Sequence, residues 1–175
     1  LVSFDMNLRP ALWPRGTDPT PRIWKALALA DAVKLSREEL EFLVASSSDE
    51  AEVLQRLWQG ATRLLVVTDG ARALRWLTPQ DQGTLDSYAV TAVDSTAAGD
   101  AFTGGLLLGL AARSITPATL PSFASDAAAL LDTLRFAAAC GAFATTRPGA
   151  FAAMPTRADA EGLMQAFTTI NTSAA

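Results

Sequence analysis

The chain has 175 residues, half of them apolar and 18% charged, the balance of one globular domain with a real core and not of a disordered segment. Its 14 basic and 18 acidic side chains leave a net charge of −4, which offers no electrostatic footprint for nucleic acid or an anionic membrane. With no histidine and a single cysteine, Ser-His-Asp and Cys-His catalysis, His-ligated zinc and an internal disulfide are excluded. Any general base must be Asp, Glu, Lys or Tyr.

In chain order, Leu1 to Phe4 reads as a strand and Asp5 to Pro10 as the loop after it. Prolines 10, 14, 19 and 21 keep helix out until about Arg22, after which Ile23, Ala26, Leu27 and Ala30 repeat at helical spacing. Ala32 to Leu35 is a short strand. Ser36 followed by Glu39 is a capping box that opens a helix with Leu40 and Leu43 on one face, and Asp49 to Gln59 is a helix stopped by Gly60. Leu64 to Thr68 is the clearest buried strand, because a near-continuous β-branched run suits a sheet covered on both faces. Ala73 to Thr78 and Thr84 to Val93 are expected as two further strands around a polar turn at Pro79 to Gly83.

The period then turns helical. Ala97 to Arg113 and the alanine-rich Asp126 to Thr146 are two long helices, the second broken by Arg147-Pro148-Gly149. Gly105 and Gly109, four residues apart, suit close helix packing. Thr156 caps a last helix to about Phe167, and Thr168 to Ala175 is expected to fray. Such alternation predicts an α/β sheet covered by helices on both faces, with a β-hairpin at one edge. The longest apolar stretch, Ala101 to Ala112, has 12 residues, short of the roughly 20 that a membrane span needs. Cys140 lies in an apolar run, reads as a small buried hydrophobe and points to a reducing, cytoplasmic setting. The start lacks both a methionine and a signal-peptide pattern, so a chain opening inside a strand is expected to be part of something longer.

Chemistry concentrates at Asp94-Ser95-Thr96-Ala97-Ala98-Gly99-Asp100-Ala101-Phe102. A strand leading through small residues into a helix should leave the N–H groups of Ala98, Gly99 and Asp100 pointing outward together, where partial positive charge collects and an anion fits. Gly99 lets the backbone approach a bulky phosphate, and Asp100 stands within reach of whatever that anion reacts with. The plainer alternative is a tight turn, with Asp100 favouring the helix dipole. No Gly-x-x-x-x-Gly-Lys-Ser/Thr loop and no Gly-x-Gly-x-x-Gly after a strand occur, which excludes a P-loop enzyme and a dinucleotide-binding oxidoreductase. Without histidine, a protein kinase is excluded as well.

The same nine residues resemble the carboxy-terminal signature of the ribokinase-like, or PfkB, carbohydrate kinases. Echoes of that family occur at Ser3 to Trp13, Lys34 to Leu40, Val67 to Gly70 and Arg135 to Ala150, and their order matches too. The resemblance implies a three-layer α/β sandwich with a mostly parallel sheet, of which residues 1–175 form the carboxy-terminal, nucleotide-binding half. The amino-terminal half with its lid is absent. It further implies ATP-dependent phosphorylation of a sugar hydroxyl, closest to fructokinases and 2-keto-3-deoxygluconate kinases. Asp100 is then the general base, and the amides of Ala98, Gly99 and Asp100 form the anion hole.

On the same basis Thr68, Asp69, Gly70 and Arg72 match a segment that contacts ATP, with Ser36 and Ala138 also at the nucleotide. Asp5, Asn7 and Arg9 fall near substrate or phosphate, and Glu39 matches an acid linked to Mg²⁺. Asp94, Thr96, Ala144, Arg147 and Gly149 match loops that hold a monovalent cation such as K⁺. The implied partners are a sugar and ATP, with neither nucleic acid nor membrane, and the longer protein is compatible with a homodimer. Ser36 stands where relatives often carry Asn, and Ala138 where many carry Asn or His. Those two positions keep open the alternative of a nucleotide- or sugar-binding regulatory module without turnover.

Overall fold

The computed structural model describes residues 1–173, with side chains to Phe167. Five strands, β1 (Ser3–Asp5), β2 (Ala32–Ser36), β3 (Leu64–Thr68), β4 (Leu74–Leu77) and β5 (Gln82–Leu85), form one sheet in chain order. Strands β1, β2 and β3 are parallel, and β4 runs antiparallel to β3. Only four residues separate β4 from its neighbour β5, too few for a parallel crossover, so they close the edge as a hairpin. The described residues fall into two compact units: Leu1–Asp69 with Leu74–Thr84 and Thr116–Ser125, and Gly70–Ala73 with Leu85–Ile115 and the chain from Asp126.

The first unit contains the sheet and helices α1 (Thr20–Leu27), α2 (Arg37–Ala45), α3 (Glu50–Gln59) and α5 (Leu120–Ser125). Val33 and Leu35 of β2, Leu65 and Val67 of β3 and Leu77 of β4 meet Trp24, Leu27, Leu40, Leu43, Val53 and Leu57 from α1 to α3 in one core cluster. The alternate residues Ala32, Leu64, Val66 and Trp76 are buried too. That two-sided burial is why these strands read as unbroken apolar runs, since successive side chains leave opposite faces of a sheet. Helix α5 packs on β3.

The second unit contains α4 (Ala98–Ala112), α6 (Ala127–Ala144) and α7 (Arg157–Ser173). Helices α4 and α6 meet through small residues. A Cβ built on Gly105 would lie 2.9 Å from the Ala137 Cα, and one on Gly109 would lie 2.6 Å from the Thr133 Cγ2. Gly104, one residue away, has nothing within 4 Å of such a Cβ. The pair makes a matched test: Gly104→Ala should stabilise the chain by about 1 kcal/mol through helix propensity. Gly105→Ala should destabilise it by about 1–3 kcal/mol, because a backbone neighbour cannot give way. Denaturant midpoints of the two variants check the opposite signs.

Several expected boundaries move, each for a local reason. Helix α1 begins at Thr20, with Pro21 in its first turn and the Arg22 and Ile23 amides donating to the Pro19 carbonyl at 3.0 and 3.1 Å. A first-turn proline needs no donor of its own, so it does not delay the helix. The strand expected over Thr84 to Val93 ends at Leu85. Instead of joining a ladder, the Val93 and Asp94 amides both donate to the Thr145 carbonyl, at 2.7 and 3.1 Å. Helix α5 was not foreseen; six residues, with Pro121 the second of them, are too few to show a period. Helix α7 runs on to Ser173, so most of the expected frayed tail is helical; residues 174 and 175 lie outside the described residues.

Against the expectation of no candidate span, α6 is, at 18 residues, long and apolar enough to cross a membrane by length and composition. Half of that window is buried within the protein, by α4 and α7. Cys140 is 6% exposed in the cluster beneath α7, and burial pushes its thiol up to about 11. It is the inert core residue the sequence predicts.

Candidate functional site

The start of α4 is built from an uncomfortable turn. Ala97 precedes the helix at φ 61° and makes no side-chain cap, a left-handed conformation that costs an L-residue roughly 1–2 kcal/mol. The turn lets the Ala98 N–H donate to the Ser95 carbonyl at 3.2 Å and the Ala101 N–H to the Ala97 carbonyl at 2.9 Å. Between them, the Gly99 and Asp100 N–H groups donate to no backbone carbonyl outside the helix among the described residues. The expected cradle of three amides therefore has two available donors, because the Ala98 donor already closes the turn. The Asp100 side chain is exposed in the first helical turn. An anion there meets two N–H groups and the positive end of a 15-residue helix, beside a solvated carboxylate able to accept a proton.

Asp94 fastens the loop before α4 to the loop after α6. Its Oδ1 accepts from the Thr96 amide and its Oδ2 from the Gly149 amide, both at 2.9 Å. Side-chain bonding with Thr96, then the Gly149 and Thr96 amides, hold its carboxyl down at about 2, against an ordinary 3.8. Gly149, at φ 91°, takes a turn conformation that favours glycine. Among the described residues, no backbone N–H donates to the carbonyls of Asp94, Thr96, Ala144, Arg147 or Gly149. Carbonyl oxygens without a backbone donor are the type of ligand that an alkali cation takes.

A carboxyl depressed on folding stabilises the folded state above its ordinary value and loses that contribution as pH falls towards its folded value. The stability gap between the native chain and Asp94→Asn should therefore be constant above pH 3.8 and close as pH approaches about 2. Thermal melts across that range check it.

In the first unit the C-terminal ends of β1 and β2 gather a second group. Asp5 pairs with Lys34 at 3.2 Å, with side chains only 15% and 8% exposed. Glu39 is buried, and its Oε2 accepts from the Ser36 amide at 2.7 Å while its Oε1 accepts from the Leu8 amide at 2.6 Å. The Ser36 Oγ accepts in turn from the Glu39 amide at 3.2 Å, completing the predicted capping box. Thr68 Oγ1 reaches the Leu35 carbonyl at 3.4 Å, and Asp69 lies 3.5 Å from the Arg37 guanidinium. Arg9 is exposed, and its Nη1 donates to the adjacent Leu8 carbonyl at 3.3 Å.

Asp5 is thus ion-paired with Lys34. The sequence carried a signal for it, a lysine inside the apolar run Ala32 to Leu35, which the motif reading passed over. In the second unit Gly70, at φ 57°, and Arg72 are exposed, while Ala138 is half-buried on α6.

Residues 1–157 match the pfkB family carbohydrate kinases. The chain belongs to the pfkB family. Fructokinase-1 of Zea mays is 38% identical over 165 residues, covering 94% of this chain and 49% of its own. A fructokinase with bound ATP from Xylella fastidiosa is 47% identical with a TM-score of 0.93, over 96% of this chain and 52% of its own. A fructokinase from Vibrio cholerae O395 in a fructose, ADP and potassium ion bound form is 38% identical with a TM-score of 0.76, over 93% of this chain and 49% of its own. This pfkB chain therefore spans about half the length of the curated relatives it matches, and its fold is the expected ribokinase-like α/β type.

The two implied ions meet different residues. The carbonyls around Asp94 are the ligand type of a monovalent ion. Glu39 is a poor match for magnesium, because it is buried with both carboxylate oxygens engaged by backbone N–H groups at 2.6 and 2.7 Å, and Mg²⁺ keeps several waters. Among the described residues, no group of three or more Asp, Glu, Cys or His could hold a metal.

Proposed function

We propose that residues 1–175 are the carboxy-terminal, nucleotide-binding half of an ATP-dependent sugar kinase of the fructokinase type. One observation carries the reading: two N–H groups without backbone acceptors at the start of α4, beside the exposed Asp100 carboxylate, in a chain 47% identical to a fructokinase with bound ATP. Asp100 takes the proton from a sugar hydroxyl as its oxygen bonds to the γ-phosphorus and the bond to ADP breaks. The Gly99 and Asp100 amides, with Ala98 fixing their turn, stabilise the charge on the transferred group. Phosphoryl transfer demands mainly positioning and charge neutralisation, so these parts suffice for the chain's share of it.

Ser36, Thr68, Asp69, Gly70, Arg72 and Ala138 are assigned to the nucleotide, and Asp5, Asn7 and Arg9 to the vicinity of substrate or phosphate. The carbonyls of Asp94, Thr96, Ala144, Arg147 and Gly149 would hold K⁺, which would supply a fixed positive charge. Mg²⁺ enters as the nucleotide's own complex, and no residue of this chain is assigned to it. ATP and a sugar are the only partners this chemistry requires, and a buried, reduced Cys140 accords with a cytoplasmic setting.

The half-length match and the residues at Ser36 and Ala138 favour a second reading, a nucleotide- or sugar-binding module without turnover. An ATP-coupled assay of the longest protein carrying this chain, across fructose, ribose and 2-keto-3-deoxygluconate, separates the two. Turnover of one of these supports the kinase. ADP binding in a calorimeter without turnover on any supports the module.

A further inference from the structure

The loop after β1 is fastened at three successive points. Asp5 is paired with Lys34 at 3.2 Å, and the Met6 N–H donates to the Lys34 carbonyl at 3.3 Å while its side chain is buried. The Leu8 N–H donates to Glu39 Oε1 at 2.6 Å, and the Leu8 side chain packs on the core of the first unit. Asn7 and Arg9, which alternate with these anchors, are exposed, and Asn7 stands at φ 41°. A loop tied down at residues 5, 6 and 8, with the polar Asn7 and Arg9 exposed, is a rigid mount for those two side chains.

We infer that Glu39 is a positioning residue that holds the Asn7 and Arg9 loop by gripping the Leu8 and Ser36 amides together, and is not a magnesium ligand. This rests on the kinase reading for what Arg9 touches, but the grip itself does not. Charge-assisted bonds of this kind are stronger and shorter than neutral ones, and both observed distances are at the short end. Each Glu39 oxygen keeps a second lone pair, but a buried carboxylate already engaged at both oxygens leaves little room for the water shell that Mg²⁺ keeps. One carboxylate therefore couples the β1 loop to the start of α2.

Glu39→Gln keeps the shape but replaces one acceptor oxygen with a donor that faces an N–H group. Hydrogen exchange on the whole protein carrying this chain should then show the Leu8 or Ser36 amide opening about 10- to 100-fold faster. Kinase assays should show KM for sugar or ATP rising about tenfold, kcat changing less, and the half-saturating Mg²⁺ concentration unchanged. In an Arg9→Ala background, the same substitution should add little to that rise, because it acts through the loop that carries Arg9. Unchanged exchange at both amides, a several-fold shift in Mg²⁺ requirement, or full additivity with Arg9→Ala would each overturn the inference. Should the variant not fold, the native protein decides. Its Leu8 and Ser36 amide resonances should stay in place as Mg²⁺ is raised to about tenfold above usual assay levels, and movement of either overturns the inference. Absence of any turnover in the native protein sinks the kinase reading but leaves the exchange result to judge the grip.

Discussion

On the proposed kinase reading, Asp100→Asn in the whole protein carrying this chain should lower kcat by about 10²–10⁴-fold, the usual contribution of a positioned general base. Asparagine has nearly the same shape and leaves the two amides at the start of α4 in place, yet it cannot take up the hydroxyl proton. Removing a negative charge beside a phosphate site should also leave ATP binding equal or tighter. A calorimetric titration with ATP therefore distinguishes a lost base from a damaged site. A fall in kcat smaller than about tenfold would show that another group takes the proton, and the exposed carboxylate would then be no more than a favourable charge at the helix end.

The second large effect is on stability. Asp5 and Lys34 are register partners on β1 and β2, and their side chains are 15% and 8% exposed, too little for solvent to take over if one partner is lost. Asp5→Asn should therefore cost about 3–5 kcal/mol, most of it the penalty of an uncompensated buried lysine. At about 2–4 °C per kcal/mol for a chain of this size, that is a fall in Tm of about 6–20 °C. Adding Lys34→Met to Asp5→Asn should recover much of the loss, since the buried charge is then gone. Melting curves of the two single variants and the double variant test this. A loss below about 1 kcal/mol for Asp5→Asn, or a double variant no better than the sum of the singles, would refute the claim that the pair is buried and coupled.

The elements legible in the sequence were those whose signal is local. The β-branched run of β3, the Ser36 and Glu39 capping box and the Gly105 and Gly109 spacing each depend on residues within a few positions, and each stands where expected. Thr84 to Val93 misled because alternation suits a strand only where a neighbour supplies the ladder, and here the Thr145 carbonyl takes the amides of Val93 and Asp94. At the candidate site, the motif around Asp100 was readable, whereas the loss of Ala98 as a free donor depended on how the Ala97 turn closes.

By itself, then, the order of residues determined the α/β alternation, the kinase-like signature and the carboxylate at the head of α4, since propensity, period and motif spacing are short-range properties. Which polar groups remain free was decided by the tertiary structure alone. Glu39 is claimed by an amide 31 positions away, Asp5 by a lysine 29 positions away and Asp94 by an amide 55 positions away. A buried or half-buried hydrogen bond goes to whichever partner folding brings within about 3 Å, and that distance is a property of the packed chain.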